Sequence, residues 1–280
     1  MKLGISQTLF ALPKEWTLER FFLAAKAAGF DGVELALTED GDVNLQSTVE
    51  DMQKVKALAV KCGIELYSLT SLLCWDYPLT SNDSAVRDKA KSVVKKQIEL
   101  AHYLGCDTVL VVPGYVGVDF VPGSEVVDYV VAYERATAVV EELKAYAEEM
   151  QVSVGIENVW NKFLLSPLEM RDFIDKAASS YVGSYFDVGN VLYSGYPEQW
   201  VKILGSRIKK VHFKDFKRSI GTIDGFVDLL EGDVNYPAVM KALQEVGYDG
   251  WVTAEVGYPA EEVEAGLAKT IAAMKRIVEM

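Results

Sequence analysis

Hydrophobic and polar positions along this chain switch repeatedly between two periods. Short runs, alternating or continuously apolar, stand at LGISQ (3–7), GVELAL (32–37), IELYSL (64–69) and TVLVVP (108–113). Four more follow at VSVGIEN (152–158), GSYFDV (183–188), KKVHFKD (209–215) and WVTAEV (251–256). Runs of this length and period read as β-strands. Between them apolar residues recur at three- and four-residue spacing, most clearly in LERFFLAAKAAGF and over 85–104, 129–150 and 239–246, which predicts amphipathic helices. Gly29, Gly63, Gly105 and Gly247 stand just ahead of the next strand, where a left-handed helix C-cap favours Gly. Asn82, Asp83 and Ser84 offer N-cap chemistry before the helix over 85–104.

Eight strand–helix units without a composition break predict an α/β fold, a (β/α)8 TIM barrel forming one domain over 1–280. The alternative is an open doubly wound sheet, but no Gly-rich phosphate loop follows the first strand.

Four of these runs close on a residue that carries chemistry. Glu157 ends VSVGIEN, Asp187 ends GSYFDVGN, His212 lies in KKVHFKD and Glu255 in GWVTAEVG. In a barrel these runs are adjacent parallel strands, their ends about 4.8 Å apart on the C-terminal rim where active sites of this fold sit. Two Glu, one Asp and one His form an oxygen-rich ligand set for a divalent metal, and the two Glu can also move protons. Strand parity agrees. Glu157 shares its face with Gly155 and Ser153, opposite Val152, Val154 and Ile156; Glu255 shares its face with Thr253 and Trp251. The small or polar set is expected inside the barrel and the aliphatic set against the helices. The sixth run is ambiguous, since Tyr185 and Ser184 fit either face.

Composition narrows the picture. Half of the 280 residues are hydrophobic, so a large core is expected. The formal net charge of −13 argues against nucleic-acid partners, which require a basic footprint. It leaves room for a small phosphorylated substrate. Cys62, Cys74 and Cys106 show no metal or redox spacing and read as free thiols in a reducing compartment. No 18-residue uncharged apolar stretch is present, and MKLGISQTLFAL reads as a first strand rather than a leader. The expectation is a cytoplasmic protein without a membrane span.

Other residues complete the candidate site. Asn158, Gly189 and Asn190 add polar or small groups beside Glu157 and Asp187. Asp215 is a candidate to orient the His212 ring or a backbone group, and a candidate substrate contact. Lys214, Lys217 and Arg218 follow the seventh strand, a neighbourhood that often holds phosphate in barrels, and Arg218 is the favoured substrate contact. Trp160, Phe163, Cys74 and Trp75 are candidate pocket walls. Glu34 reads as a buried structural carboxylate, and His102, in IELAHYLG, as a helix residue rather than a ligand.

Together GIENVWNKF, FDVGN, VHFKD and AEVG resemble the xylose-isomerase-like TIM barrel superfamily, and within it the sugar and sugar-phosphate isomerases and 3-epimerases. The resemblance spans the whole chain in its β/α rhythm. It implies one divalent ion, Mn2+ first and Mg2+, Co2+ or Zn2+ after it, held by Glu157, Asp187, His212 and Glu255. It implies substrate contacts at Asn190, which stands where ketose 3-epimerases carry a histidine, and at Arg218, and often a homo-oligomer. Phe163 replaces a Glu of the free-ketose epimerases, and DVGN resembles the pentulose-phosphate branch. The expected activity is C3 epimerisation of a ketose or ketose phosphate through an enediolate, with Glu157 and Glu255 as the acid–base pair. Aldose–ketose isomerisation and dehydration of a polyol-derived ketone need the same ligand set. A multi-zinc abasic-site endonuclease conflicts with two histidines and the acidic charge, and a silent sugar-binding barrel conflicts with an intact ligand set.

Overall fold

The computed structural model describes residues 1–10 and 16–280. Eight parallel strands close into a barrel: β1 (Lys2–Ser6), β2 (Gly32–Leu37), β3 (Glu65–Ser71), β4 (Thr108–Val111), β5 (Ser153–Glu157), β6 (Val182–Asp187), β7 (Ile208–Phe213) and β10 (Trp251–Ala254). A two-stranded antiparallel ribbon, β8 (Asp215–Phe216) with β9 (Phe226–Val227), stands between β7 and β10 in the chain. The helices are α1 (Leu18–Ala28), α2 (Val49–Cys62), α3 (Ser84–Leu104), α4 (Tyr129–Met150), α5 (Pro167–Lys176), α6 (Val188–Leu192), α7 (Pro197–Leu204), α8 (Tyr236–Glu245) and α9 (Val263–Val278). This is the (β/α)8 architecture that the hydrophobic pattern predicts.

Local chemistry sets the helix ends. Thr17, Thr48, Asp83, Asp128 and Ser166 each accept a backbone N–H of the first turn, which satisfies a donor that the helix itself leaves open. Gly29, Gly63 and Gly105 close α1, α2 and α3 in the left-handed conformation, as their positions imply.

The two faces of the strands divide as parity requires. Val152, Val154 and Ile156 are buried in the large core between barrel and helices. Inside the barrel, Tyr67 stacks on Trp251 with ring centroids 3.8 Å apart and meets Thr253 Oγ1 through its hydroxyl at 2.8 Å. One level higher, Tyr185 packs with Leu110 and Val112, and its hydroxyl donates to Glu34 and lies 3.0 Å from Ser68 Oγ, from which it can accept. Tyr185 thus takes the inner face. The register between β6 and β7 shifts between Ser184 and Tyr185, and this bulge is why simple alternation left the sixth strand undecided.

Two strand ends differ from the sequence pattern. The run 209–215 is not one strand: β7 stops at Phe213 and Asp215 begins the ribbon. Glu255 lies one residue past β10, with its N–H still bonded to Phe213 O at 3.1 Å.

The barrel interior leaves no room for a side chain at Gly4, where a Cβ would lie 2.0 Å from the Tyr67 hydroxyl oxygen. Gly4→Ala should therefore displace Tyr67 from Trp251 and Thr253 and destabilise the fold by about 1–3 kcal/mol. Urea unfolding checks this, and an unchanged midpoint would show that Tyr67 does not fill the barrel as described.

Candidate metal centre

Glu157, Asp187, His212 and Glu255 converge at the C-terminal end of the barrel, each offering one ligand atom, all of these within 4.8 Å of one another. All four residues are buried. Glu157 is the last residue of β5 and Asp187 the last of β6. His212 is paired in register with Asp187 across β6 and β7.

Neighbouring groups fix each ligand. Asp187 Oδ1 accepts the Asn190 N–H at 2.7 Å and so caps α6, leaving Oδ2 to face the cluster. Asn158 bridges the strand ends: its amide donates to Asp187 O at 2.8 Å, and its Oδ1 accepts the Asp187 N–H at 3.0 Å. The Asn190 amide donates to Asn158 O at 3.0 Å and reaches Glu157 Oε1 at 3.4 Å. Glu34 lies 3.0 Å from His212 Nε2, so the ring turns Nδ1 to the carboxylates. Such an outer carboxylate fixes ring orientation and tautomer in metal-binding histidines. His212 Nδ1 is 3.2 Å from Glu255 Oε2, 3.8 Å from Asp187 Oδ2 and 4.0 Å from Glu157 Oε1.

A test of fit is whether these atoms have other partners. Asp187 Oδ2, His212 Nδ1 and Glu255 Oε2 are buried without a well-formed hydrogen bond, whereas buried polar atoms are normally bonded; the Lys214 ammonium stands against two of them as an ion pair, 2.5 Å from Glu255 Oε2 and 3.4 Å from Asp187 Oδ2. Three such atoms aimed at one point, from two carboxylates and an imidazole, match what a divalent cation requires. Glu157 supplies the fourth side.

Burial and mutual charge shift the acid–base properties. Burial, reinforced by the Glu255 carboxylate, pushes Glu157 well above the usual carboxylate range. Burial also acts to raise Glu255, but Lys214 and His212 outweigh it and hold Glu255 low. Burial would lower His212, yet Glu34 and Glu255 hold it well above its ordinary value. Burial raises Asp187, with Lys214 opposing.

A cavity of about 440 Å³ opens over the cluster, lined by Glu157, Glu255, Asn190 and Lys214 and walled by Trp75, Trp160 and Phe226 among others. Asn190 and Trp160 both line this cavity, and the Trp160 indole donates to Asn190 O at 2.9 Å. Cys74 also lines this cavity. Asp215 reaches the lining, but its carboxylate accepts the N–H groups of Phe216, Leu230 and Val234. It pins the loop that follows β7 rather than the His212 ring. The exposed Arg218 guanidinium turns away to Leu192 O at 3.1 Å and the Tyr196 ring. Phe163 packs against Tyr129 and Phe173, and His102 lies 2.8 Å from Met150 O on the helix layer.

The sequence pattern groups Lys214 with Lys217 and Arg218 as a phosphate neighbourhood and favours Arg218, whereas the structure places Lys214 in the cluster. Its ammonium is 2.5 Å from Glu255 Oε2 and 3.4 Å from Asp187 Oδ2. The signal was available, since Lys210, His212 and Lys214 share parity in KKVHFKD.

Fold and site together define a (β/α)8 barrel with a buried carboxylate–imidazole centre at its catalytic rim. The model of the xylose isomerase-like TIM barrel family matches residues 22–277, and the chain belongs to that family. Over 255 residues it is 29% identical to a putative L-ribulose-5-phosphate 3-epimerase, SgbU, of Escherichia coli K12, covering 89% of this chain and 86% of that protein. A shorter match, 30% identical over 122 residues, reaches an inosose dehydratase of Clostridium beijerinckii and covers 36% of this chain and 40% of that one. In fold the chain is similar to D-psicose 3-epimerase crystallised in the presence of D-fructose, with a TM-score of 0.79, 18% identity and 99% of both chains covered. Most of these relatives and neighbours are carbohydrate epimerases, which are isomerases. Among the described residues no helix is long and apolar enough to cross a membrane.

His212 and Glu157 are both held above their ordinary values, so each holds its proton to higher pH than the free group does, and a metal ion that binds them competes with protons. Metal affinity should therefore rise with pH. Calorimetric titration with Mn2+ at pH 7, in buffers of different ionisation enthalpy, should show about one or more protons released per ion. Affinity that is the same at pH 6 and pH 8, with no proton release, would contradict the assignment.

Proposed function

We propose that the protein is a divalent-metal-dependent epimerase of a ketose or ketose phosphate, acting at C3 through an enediolate. The observation that carries this reading is the pair Glu157 and Glu255. They rise from different strands, β5 and β10, onto one buried cluster, and both line the cavity above it. Epimerisation requires removal of a proton from one face of a carbon and delivery to the other, so two carboxyl groups on separate elements are the economical arrangement. Relatives named as ribulose-phosphate 3-epimerases support the choice of reaction.

The residues divide the work. Glu157, Asp187, His212 and Glu255 would hold the ion, with Mn2+ the first candidate and Mg2+, Co2+ or Zn2+ after it. The bound ion supplies electrophilic stabilisation of the negative charge that develops on neighbouring substrate oxygens. Glu157 and Glu255 use their remaining oxygens to take and return the C3 proton. The Asn190 amide, anchored on Asn158 O, stands beside Glu157 to orient a substrate hydroxyl. Trp160 offers an apolar face, and the buried floor excludes water from the exchanging proton. Asp215 and Arg218 act on substrate through the loops that they tie.

The match to an inosose dehydratase favours a second reading, a lyase that removes water from a polyol-derived ketone with the same metal and carboxylates. Proton exchange followed by NMR in D2O separates the two. The panel is metal-loaded protein with L-ribulose, its 5-phosphate, free hexuloses and inosose. Deuterium at C3 with appearance of the epimer is the expected result. Loss of water from inosose without epimer would establish the lyase, and exchange at C1 with an aldose product an isomerase. Glu157→Gln and Glu255→Gln should each lower kcat by about 10²–10⁴-fold while the protein stays folded. Full activity in both variants would eliminate the acid–base pair.

A further inference from the structure

Lys214 is the first residue beyond β7 and the last of the inward series Lys210, His212, Lys214. Its side chain is only 14% exposed. The ammonium sits 5.3 Å from the centroid of the Phe226 ring and touches Asp187 Oδ2 and Glu255 Oε2, two of the oxygens offered to a cation. Gly189 makes this seat available: a Cβ at position 189 would lie 2.4 Å from Lys214 Cβ and 3.0 Å from its carbonyl oxygen. Helix α6 and Lys214 are thus pressed together where any side chain at 189 would force them apart. Among the described residues lining the catalytic cavity, Lys214 is the one cation, facing three buried carboxylates.

An ammonium and a divalent ion cannot share the same two oxygens at contact distance. Their repulsion at a few ångströms is several times thermal energy even with a high effective dielectric. We propose that Lys214 is a built-in competitor of the metal. Without an ion, its ammonium neutralises Asp187 and Glu255. Entry of a divalent ion drives it off those oxygens into the cavity, where it faces the substrate. The quartet thereby stays paired and folded before metal arrives, since buried carboxylates without a partner are costly. Metal affinity is set below the value that the four ligands alone would give. This inference rests on the metal-centre reading and not on which sugar is turned over.

The test compares wild type with Lys214→Met and Lys214→Gln, using Mn2+ alone. Calorimetry should show Mn2+ bound at least about tenfold more tightly by both variants. Thermal melts should show a lower Tm for each variant without metal and a Tm near that of metal-loaded wild type once saturated. A lysine serving only to pack the loop would lower both melting points equally and leave Mn2+ affinity unchanged, and that result overturns the proposal. Weaker Mn2+ binding by the variants also overturns it. If the variants bind Mn2+ and wild type does not, competition stands and the metal-dependent activity of the wild-type protein falls. If no form binds, both fall.

Discussion

Three buried carboxylates sit around one imidazole at the end of the barrel, and their charge is the constraint that organises the structure around them. Each buried carboxylate would individually be expensive to ionise. The surrounding groups offset that cost by position. Glu34 holds His212 from behind, Lys214 reaches Glu255 and Asp187 from above, and Asp187 is tied into the first turn of α6. The three atoms left without a hydrogen bond are those that point at one another. Polar networks of this kind are stable when every member is satisfied; Lys214 offsets part of the negative charge, and the converging ligand atoms are a set that could hold a divalent cation.

The barrel provides the rigidity that such a cluster needs. Its interior is filled in levels, from the Tyr67–Trp251 stack through Tyr185 with Leu110 and Val112 to the quartet at the rim. Tyr185 joins the upper two levels, because its ring meets His212 edge-on while its hydroxyl bonds Glu34. Orientation of the histidine therefore depends on packing well below it. The ligands come from strand ends rather than flexible loops, the placement that keeps a constellation within the tolerance chemistry requires.

Much of this was legible in the residues. Glu157 and Asp187 end their strands, His212 stands one residue before the end of β7 and Glu255 one residue past β10, and the two-residue period of a strand says which face each takes, so the quartet followed from pattern alone. The reading lost resolution where a side chain's job depends on tertiary partners. Asp215 and Arg218 look like substrate groups because they follow the metal histidine, yet their hydrogen bonds go to backbone groups of loops distant in sequence. Lys214 looks like the start of a basic loop because Lys217 and Arg218 follow it. Only the termination of β7 at Phe213 and the close approach of Gly189 turn it into the site. The bulge at Tyr185 is a register property of two strands, and no single run encodes it.

The central claim, that these four strand-end residues form one metal centre, is tested most directly by anomalous diffraction at the manganese edge from crystals grown with Mn2+. The account predicts a single strong peak bounded by the carboxylates of Glu157, Asp187 and Glu255 and by His212 Nδ1. Diffraction of adequate strength with no peak at the barrel rim, or with the ion held by other residues, would contradict it.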